Sequence, residues 1–221
     1  MEFTLEGPGR PPHRGGKPKS LVVLLHGLGA DGKDLISLAP YWAPLLPETE
    51  FISPNAPFPC DMAPYGYQWF SFQQRTPETV LAGVRAAAAF LDGFLDQVLA
   101  ARGLDESRLA LVGFSQGTMM SLHVGLRRAK ALAGIVGYSG RLVGPDVLAQ
   151  ELRSKPPVLL MHGTADEMVP FESLALAEEG LTALGVPVTT VRRPGLGHSI
   201  DEVELAKGGE FLKNALDAAA R

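Results

Sequence analysis

Residues 109–117 read LALVGFSQG. Leu109 to Val112 form a short apolar run of the kind that makes a buried strand, and a helical pattern begins at about Gln116. Between them stands Gly113-Phe114-Ser115-Gln116-Gly117, a G-x-S-x-G sequence on a strand-to-helix corner, the setting in which this motif presents a nucleophilic serine. So tight a turn crowds the positions two before and two after the serine, and glycine at both removes the side chains that would clash. Ser115 is therefore expected to stand exposed above the end of a sheet.

Working outward, Leu21 to Leu25 form another apolar run, closed by the loop HGLGADG, and Phe51 to Ser53 a third. Leu132 to Gly137, Val158 to Met161 and Val188 to Arg192 continue the series. Helical segments alternate with them. Thr76-Pro77-Glu78 combines a capping hydroxyl with proline at the first helical position, and Val80, Val84, Ala88, Leu91, Leu95 and Val98 follow on one face. Further helices are predicted from about Gln116, from about Phe171 to Leu184 with Gly185 ending it, and from about Asp201 to Ala220. This alternation predicts an α/β fold, a mainly parallel sheet covered by helices on both faces. No repeat, low-complexity tract or linker interrupts it, so residues 1–221 are expected to form one domain, with 1–19 as a Pro/Gly-rich N-terminal arm. Residues 54–72 hold too many prolines for regular structure, at 54, 57, 59 and 64, and too many aromatics for a solvated linker, so they are predicted to fold over something.

Bulk properties narrow the function. A net charge of -4 without an acidic or basic block argues against nucleic acid or an anionic membrane surface as partner and leaves a small or neutral ligand. The N-terminus lacks the apolar core of a secretory signal, and no apolar stretch approaches the roughly 18 residues of a membrane span, so a cytoplasmic protein without stable membrane insertion is expected. The single cysteine, Cys60, excludes an internal disulfide and a metal site built on several thiolates. Nothing in the sequence decides oligomeric state, and a homodimer is carried as an expectation alone.

A serine on this corner is useful only if a base reaches it and a third group orients that base. In this architecture the chain order is Ser, then Asp or Glu, then His. Of the five histidines, His13 lies in the arm, His26 precedes the glycine loop, His123 falls inside the helix after Ser115, and His162 precedes any loop acid on its own strand. His26 and His162 read as structural groups at strand ends. His198, in the loop RRPGLGHSI beyond the strand Val188 to Arg192, remains as the base. Asp166, in the loop beyond the strand Val158 to Met161, is the best-placed acid, while Glu167 is its neighbour and Asp146, Glu151 and Glu172 belong to flanking segments or helices.

The loop at 26–32 admits two readings. Gly27, Gly29 and Gly32 spell G-x-G-x-x-G after a strand, as a dinucleotide-binding turn does. That reading requires an acid at the end of the next strand to hold the ribose, and this strand ends Phe51-Ile52-Ser53-Pro54-Asn55 with no carboxylate until Asp61. The second reading is an oxyanion hole, made by the N–H of Leu28 and that of Gln116, the residue after the nucleophile.

Six stretches, HGLGADG at 26–32, PNAP at 54–57, GYQWF at 66–70, GFSQG at 113–117, HGTADEMVP at 162–170 and GLGH at 195–198, together resemble the small carboxylesterases, lysophospholipases and acyl-protein thioesterases of the α/β-hydrolase superfamily. The resemblance spans nearly the whole chain. It implies an α/β-hydrolase fold without a large cap domain, Ser115, Asp166 and His198 as catalytic triad, Leu28 and Gln116 as oxyanion donors, and Trp69 lining the acyl site. It implies no metal or organic cofactor and a small acyl ester, thioester or lysophospholipid as substrate. Two positions depart from the family pattern: Ser71 stands where an acid often follows W-F, and Thr118 where a second small residue often follows GFSQG. The rival from another class is a ligand-binding protein that keeps this fold without turnover, for which a broken triad would be the mark.

Overall fold

The computed structural model describes residues 5–219. In chain order the strands are β1 (Gly9–Arg10), β2 (Ser20–Leu25), β3 (Thr49–Ile52), β4 (Phe58–Pro59), β5 (Tyr67–Gln68), β6 (Leu109–Phe114), β7 (Gly134–Tyr138), β8 (Val158–Gly163) and β9 (Val188–Arg193). The helices are α1 (Gly32–Ile36), α2 (Ala39–Trp42), α3 (Pro77–Arg102), α4 (Gln116–Gly125), α5 (Pro145–Glu151), α6 (Glu172–Ala183) and α7 (Glu202–Ala218). Seven strands form one sheet in the order β1-β3-β2-β6-β7-β8-β9, parallel throughout except for the antiparallel edge strand β1.

Alternation along the central strands divides the core into two layers. Leu21, Val23, Leu25, Leu109 and Leu111 face one layer with Val84, Leu91 and Leu95 of α3 and Met119 and Leu122 of α4. Val22, Leu24, Ala110 and Val112 face the other with Trp42 of α2 and Leu212 and Leu216 of α7. Strands buried on both faces read as unbroken apolar runs, which is why β2 and β6 stand out in the sequence. Helix α3 begins as its sequence predicts, with the Thr76 hydroxyl accepting the Thr79 N–H, and stops at Gly103 in the left-handed region with φ 65°.

The structure adds elements that periodicity does not predict. Helices α1, α2 and α5 and strand β1 are too short to carry a pattern. Within residues 58–72, β4 and β5 pair as a small antiparallel ribbon despite the prolines. The terminal helix ends at Ala218, and Ala220, its expected end, lies outside the described residues. No helix of the described residues is long and apolar enough to cross a membrane.

Candidate active site

Because β6, β8 and β9 run parallel, their carboxyl ends reach the same sheet edge, where α/β folds place their sites. Ser115 leaves β6 with φ 53° and ψ -114°, a conformation that L residues avoid. The flanking glycines are a steric requirement: a Cβ on Gly113 would fall 2.3 Å from the Gly117 carbonyl carbon, and one on Gly117 only 1.7 Å from the Leu25 oxygen. The Ser115 hydroxyl makes no hydrogen bond among the described residues. It lines a cavity of about 470 Å³ shared with His198, Leu28 and the apolar side chains of Phe72, Met119 and Met168.

Asp166 and His198 meet at this edge. His198 Nδ1 donates to Asp166 Oδ2 at 2.8 Å, which leaves Nε2 as the ring nitrogen free to accept a proton. Asp166 Oδ1 accepts the Met168 and Val169 N–H groups, each at 2.9 Å. Burial alone would raise this carboxyl, but the Val169 N–H, His198 and the Met168 N–H together hold it below the ordinary carboxylate value. The ring of Phe114 lies 4.8 Å from that of His198, centroid to centroid, with the planes tilted by 50°. The loop carrying His198 is closed at its base by Arg193, whose Nε and Nη2 donate to Asp201 Oδ2 at 2.9 and 2.7 Å.

The glycine loop packs directly on the nucleophile. A Cβ on Gly27 would stand 3.4 Å from Ser115 Cβ and 3.2 Å from Phe114 Cδ1. Gly29, at φ 80°, donates to Tyr67 O (2.9 Å), and Tyr67 donates to Ala30 O (2.8 Å), so the β4–β5 ribbon pins the loop. Gly32 donates to Asn55 Oδ1 (2.9 Å), and a Cβ there would fall 2.0 Å from Ser53 O. Gly27 and Gly32 thus answer to close packing against the chain at 114–115 and 53–55, and Gly29 to its left-handed backbone. Neither the Leu28 N–H nor the Gln116 N–H has a partner among the described residues, and the latter is one of the unpaired donors that open every helix.

One expectation is corrected. Trp69 does not line the cavity: its side chain is wholly buried in the core, and its Nε1 donates to His26 O at 3.0 Å. An indole with its N–H satisfied inside the protein is a packing element, and Phe72, Met119 and Met168 take the cavity wall instead.

Two side-chain contributors, Gln116 and Asn55, are not given by the sequence reading. The Gln116 side chain accepts the Trp69 N–H at 3.1 Å and donates to Phe70 O at 2.8 Å, locking the aromatic segment to the elbow. The signal was present, since a polar side chain in a helix as apolar as the one that follows must find partners when buried. Asn55 braces the glycine loop as described. His162 is structural, as expected, with Nε2 donating to Val169 O at 3.0 Å, but the same nitrogen also stands 3.2 Å from Asp166 Oδ2.

Comparison with known proteins adds independent findings. A phospholipase/carboxylesterase family model matches residues 13–216. Acyl-protein thioesterase 1 of Emericella nidulans is 30% identical over 222 residues, covering 91% of this chain and 92% of its own. Esterase YpfH of Escherichia coli (strain K12) is 28% identical, covering 90% of this chain and 82% of its own. The crystal structure of esterase PE8 superposes with a TM-score of 0.92 at 42% identity, covering 96% of this chain and 99% of that one.

Proposed function

Because the chain belongs to the phospholipase/carboxylesterase family of α/β-hydrolases, we propose that it hydrolyses carboxylic esters and thioesters through an acyl-serine intermediate formed on Ser115. The observation that carries this reading is the 2.8 Å bond from His198 to Asp166 at the wall of the cavity that Ser115 enters.

Ser115 Oγ attacks the substrate carbonyl while His198 Nε2 takes its proton. Asp166, ionised and held by two N–H groups, keeps His198 in the tautomer with hydrogen on Nδ1 and stabilises the imidazolium that forms. Negative charge developing on the carbonyl oxygen meets the N–H groups of Leu28 and Gln116, reinforced by the positive end of α4. The alcohol or thiol leaves with the proton from His198, and water then repeats the sequence to release the carboxylic acid. The apolar cavity wall suits an acyl chain, and relatives named esterase and acyl-protein thioesterase support esters and thioesters as the substrate class.

A fluorophosphonate probe tests this. Wild type should be labelled and should hydrolyse members of a series of p-nitrophenyl esters, acyl-CoA or lysophospholipid, and Ser115→Ala should do neither. Equal labelling of both proteins, or a folded wild type inert towards probe and esters, overturns the reading.

A further inference from the structure

Strand β7 ends in a corner of its own. Ser139, which follows it, has φ 47° and is the only described non-glycine residue besides Ser115 in the left-handed region. It is wholly buried, its N–H donates to Met161 O at 2.9 Å, and its hydroxyl has no partner among the described residues. Strain of this kind persists only where the surroundings impose it, and it concentrates at functional sites. Gly140 then lies flat against the nucleophile elbow, where a Cβ would fall 2.3 Å from Thr118 Cβ and 3.1 Å from Ser115 O. With its neighbour pressed there, Arg141 enters the wall of the cavity that Ser115 and His198 line.

Arg141 also lines a second cavity, of about 220 Å³, and Arg75 lines both. The two arginines are not equivalent. Arg75 donates from Nε to Phe72 O at 3.2 Å and its guanidinium lies 5.8 Å from the Phe72 ring centre. Arg141 is half-buried and has neither a hydrogen-bond acceptor nor an ion-pair partner among the described residues. The carboxylates of the two cavities, Asp34 in the first and Glu78 and Asp146 in the second, make no ion pair with it. Burial lowers its pKa with no neighbouring anion to offset the cost. A guanidinium offers five donors in a planar fork matched to oxyacid anions, and leaving it partly desolvated and unpaired is unfavourable until such an anion arrives.

We propose that Arg141, assisted by Arg75, determines specificity by receiving an anionic oxygen group of the substrate, a carboxylate or phosphate monoester separated from the scissile ester by a short carbon spacer. The spacer lies against Phe72 and Met119, which line the same cavity. This rests on the ester-hydrolase reading above.

The test compares matched substrates: p-nitrophenyl hexanoate with the p-nitrophenyl half-ester of adipate, and monobutyrin with butyryl glycerol 3-phosphate. The readout is the anionic-to-neutral ratio of kcat/KM within each pair. In at least one pair that ratio should fall about tenfold or more in Arg141→Gln, mostly through KM, as expected for loss of a charge-assisted bond, and recover in part in Arg141→Lys. A fall confined to the adipate pair places a carboxylate on the acyl side, and one confined to the glycerol phosphate pair places a phosphate on the leaving group. The wild-type ratio should also drop on raising salt to about 0.5 M, a measurement that stands even if Arg141→Gln does not fold. Ratios that are unchanged by salt and by the folded variants in both pairs overturn this inference alone. A wild type that cleaves no substrate in either pair overturns the hydrolase reading and this one with it.

Discussion

Asp166 Oδ2 stands 2.8 Å from Nδ1 of His198, so the acid grips the ring nitrogen that faces away from substrate. Its other oxygen is already occupied by two N–H groups. An amide at position 166 keeps the shape but favours the wrong histidine tautomer. Asp166→Asn is expected to lower kcat by on the order of 10⁴-fold with a much smaller change in KM, measured on any p-nitrophenyl ester that the wild type cleaves. A loss under tenfold would remove Asp166 from the triad.

Gln116 joins the elbow to the aromatic segment through two buried bonds. Replacing it by Met leaves the Trp69 N–H and Phe70 C=O without partners, at about 1–3 kcal/mol each. Urea denaturation of Gln116→Met should therefore show a loss of about 2–6 kcal/mol. The backbone donor at 116 is retained, so any activity of the folded fraction should fall less than in Asp166→Asn.

At Gly117 the Leu25 oxygen leaves no room for a methyl group. Since the contact is with the backbone of a central strand, no side chain can yield. Gly117→Ala should cost more than about 4 kcal/mol, in the exceptional range for one substitution, and circular dichroism should show loss of cooperative unfolding. Alanine at Gly15, where nothing lies within 4 Å, is the control for handling and should cost far less, although its φ of 74° still carries strain.

Two buried groups pull the pH dependence of stability in opposite directions. Burial, helped by Asp201, raises Glu204 from 4.5 to about 7, and neither carboxyl oxygen has a partner among the described residues. Above pH 4.5 the unfolded chain releases this proton while the folded protein keeps it until about pH 7, so stability falls as pH rises through that window. Burial, helped by Arg127, lowers His123 from 6.5 to about 4, so below pH 6.5 the unfolded chain gains a proton that the folded one refuses and stability falls as pH drops. The two oppose each other between pH 4.5 and 6.5. Burial lowers His26 as well and adds to the slope of His123, so Glu204→Gln should make stability rise more steeply with pH across this interval than in wild type, by up to about 1.4 kcal/mol per pH unit in urea denaturation at successive pH values. A variant whose profile matches wild type would refute the assignment.

Legibility followed locality. Gly113 acts through its contact with the nearby Gly117, and the order of acid and base follows from successive strand ends, so the elbow and the pairing of Asp166 with His198 could be read directly, whereas the contact of Gly117 with the distant Leu25 oxygen could not. Trp69 could not be placed, because an aromatic in an irregular segment goes to the core or to the cavity according to partners far away in the chain, here His26 and Gln116. Thr118 shows the same limit. Its departure from the family pattern is absorbed by Gly137 and Gly140, where a Cβ would meet it at 2.5 and 2.3 Å, and its hydroxyl donates to Gly113 O and Tyr138 O, both at 2.8 Å. The unpaired state of Arg141 is likewise a property of everything that fails to approach it.

Strand β9 forms the outer rim of the sheet, where β8 is the only strand it pairs with among the described residues, from Val158↔Val188 to Gly163↔Arg193. His198, the proposed base, rides on the loop that this last strand delivers. During synthesis the ribosome therefore completes the serine corner, and the carboxylate after it, well before the imidazole of His198 is available to either. On the proposed mechanism a nascent or truncated chain holds Ser115 without its base, and reactivity switches on only when the final strand zips onto the rim.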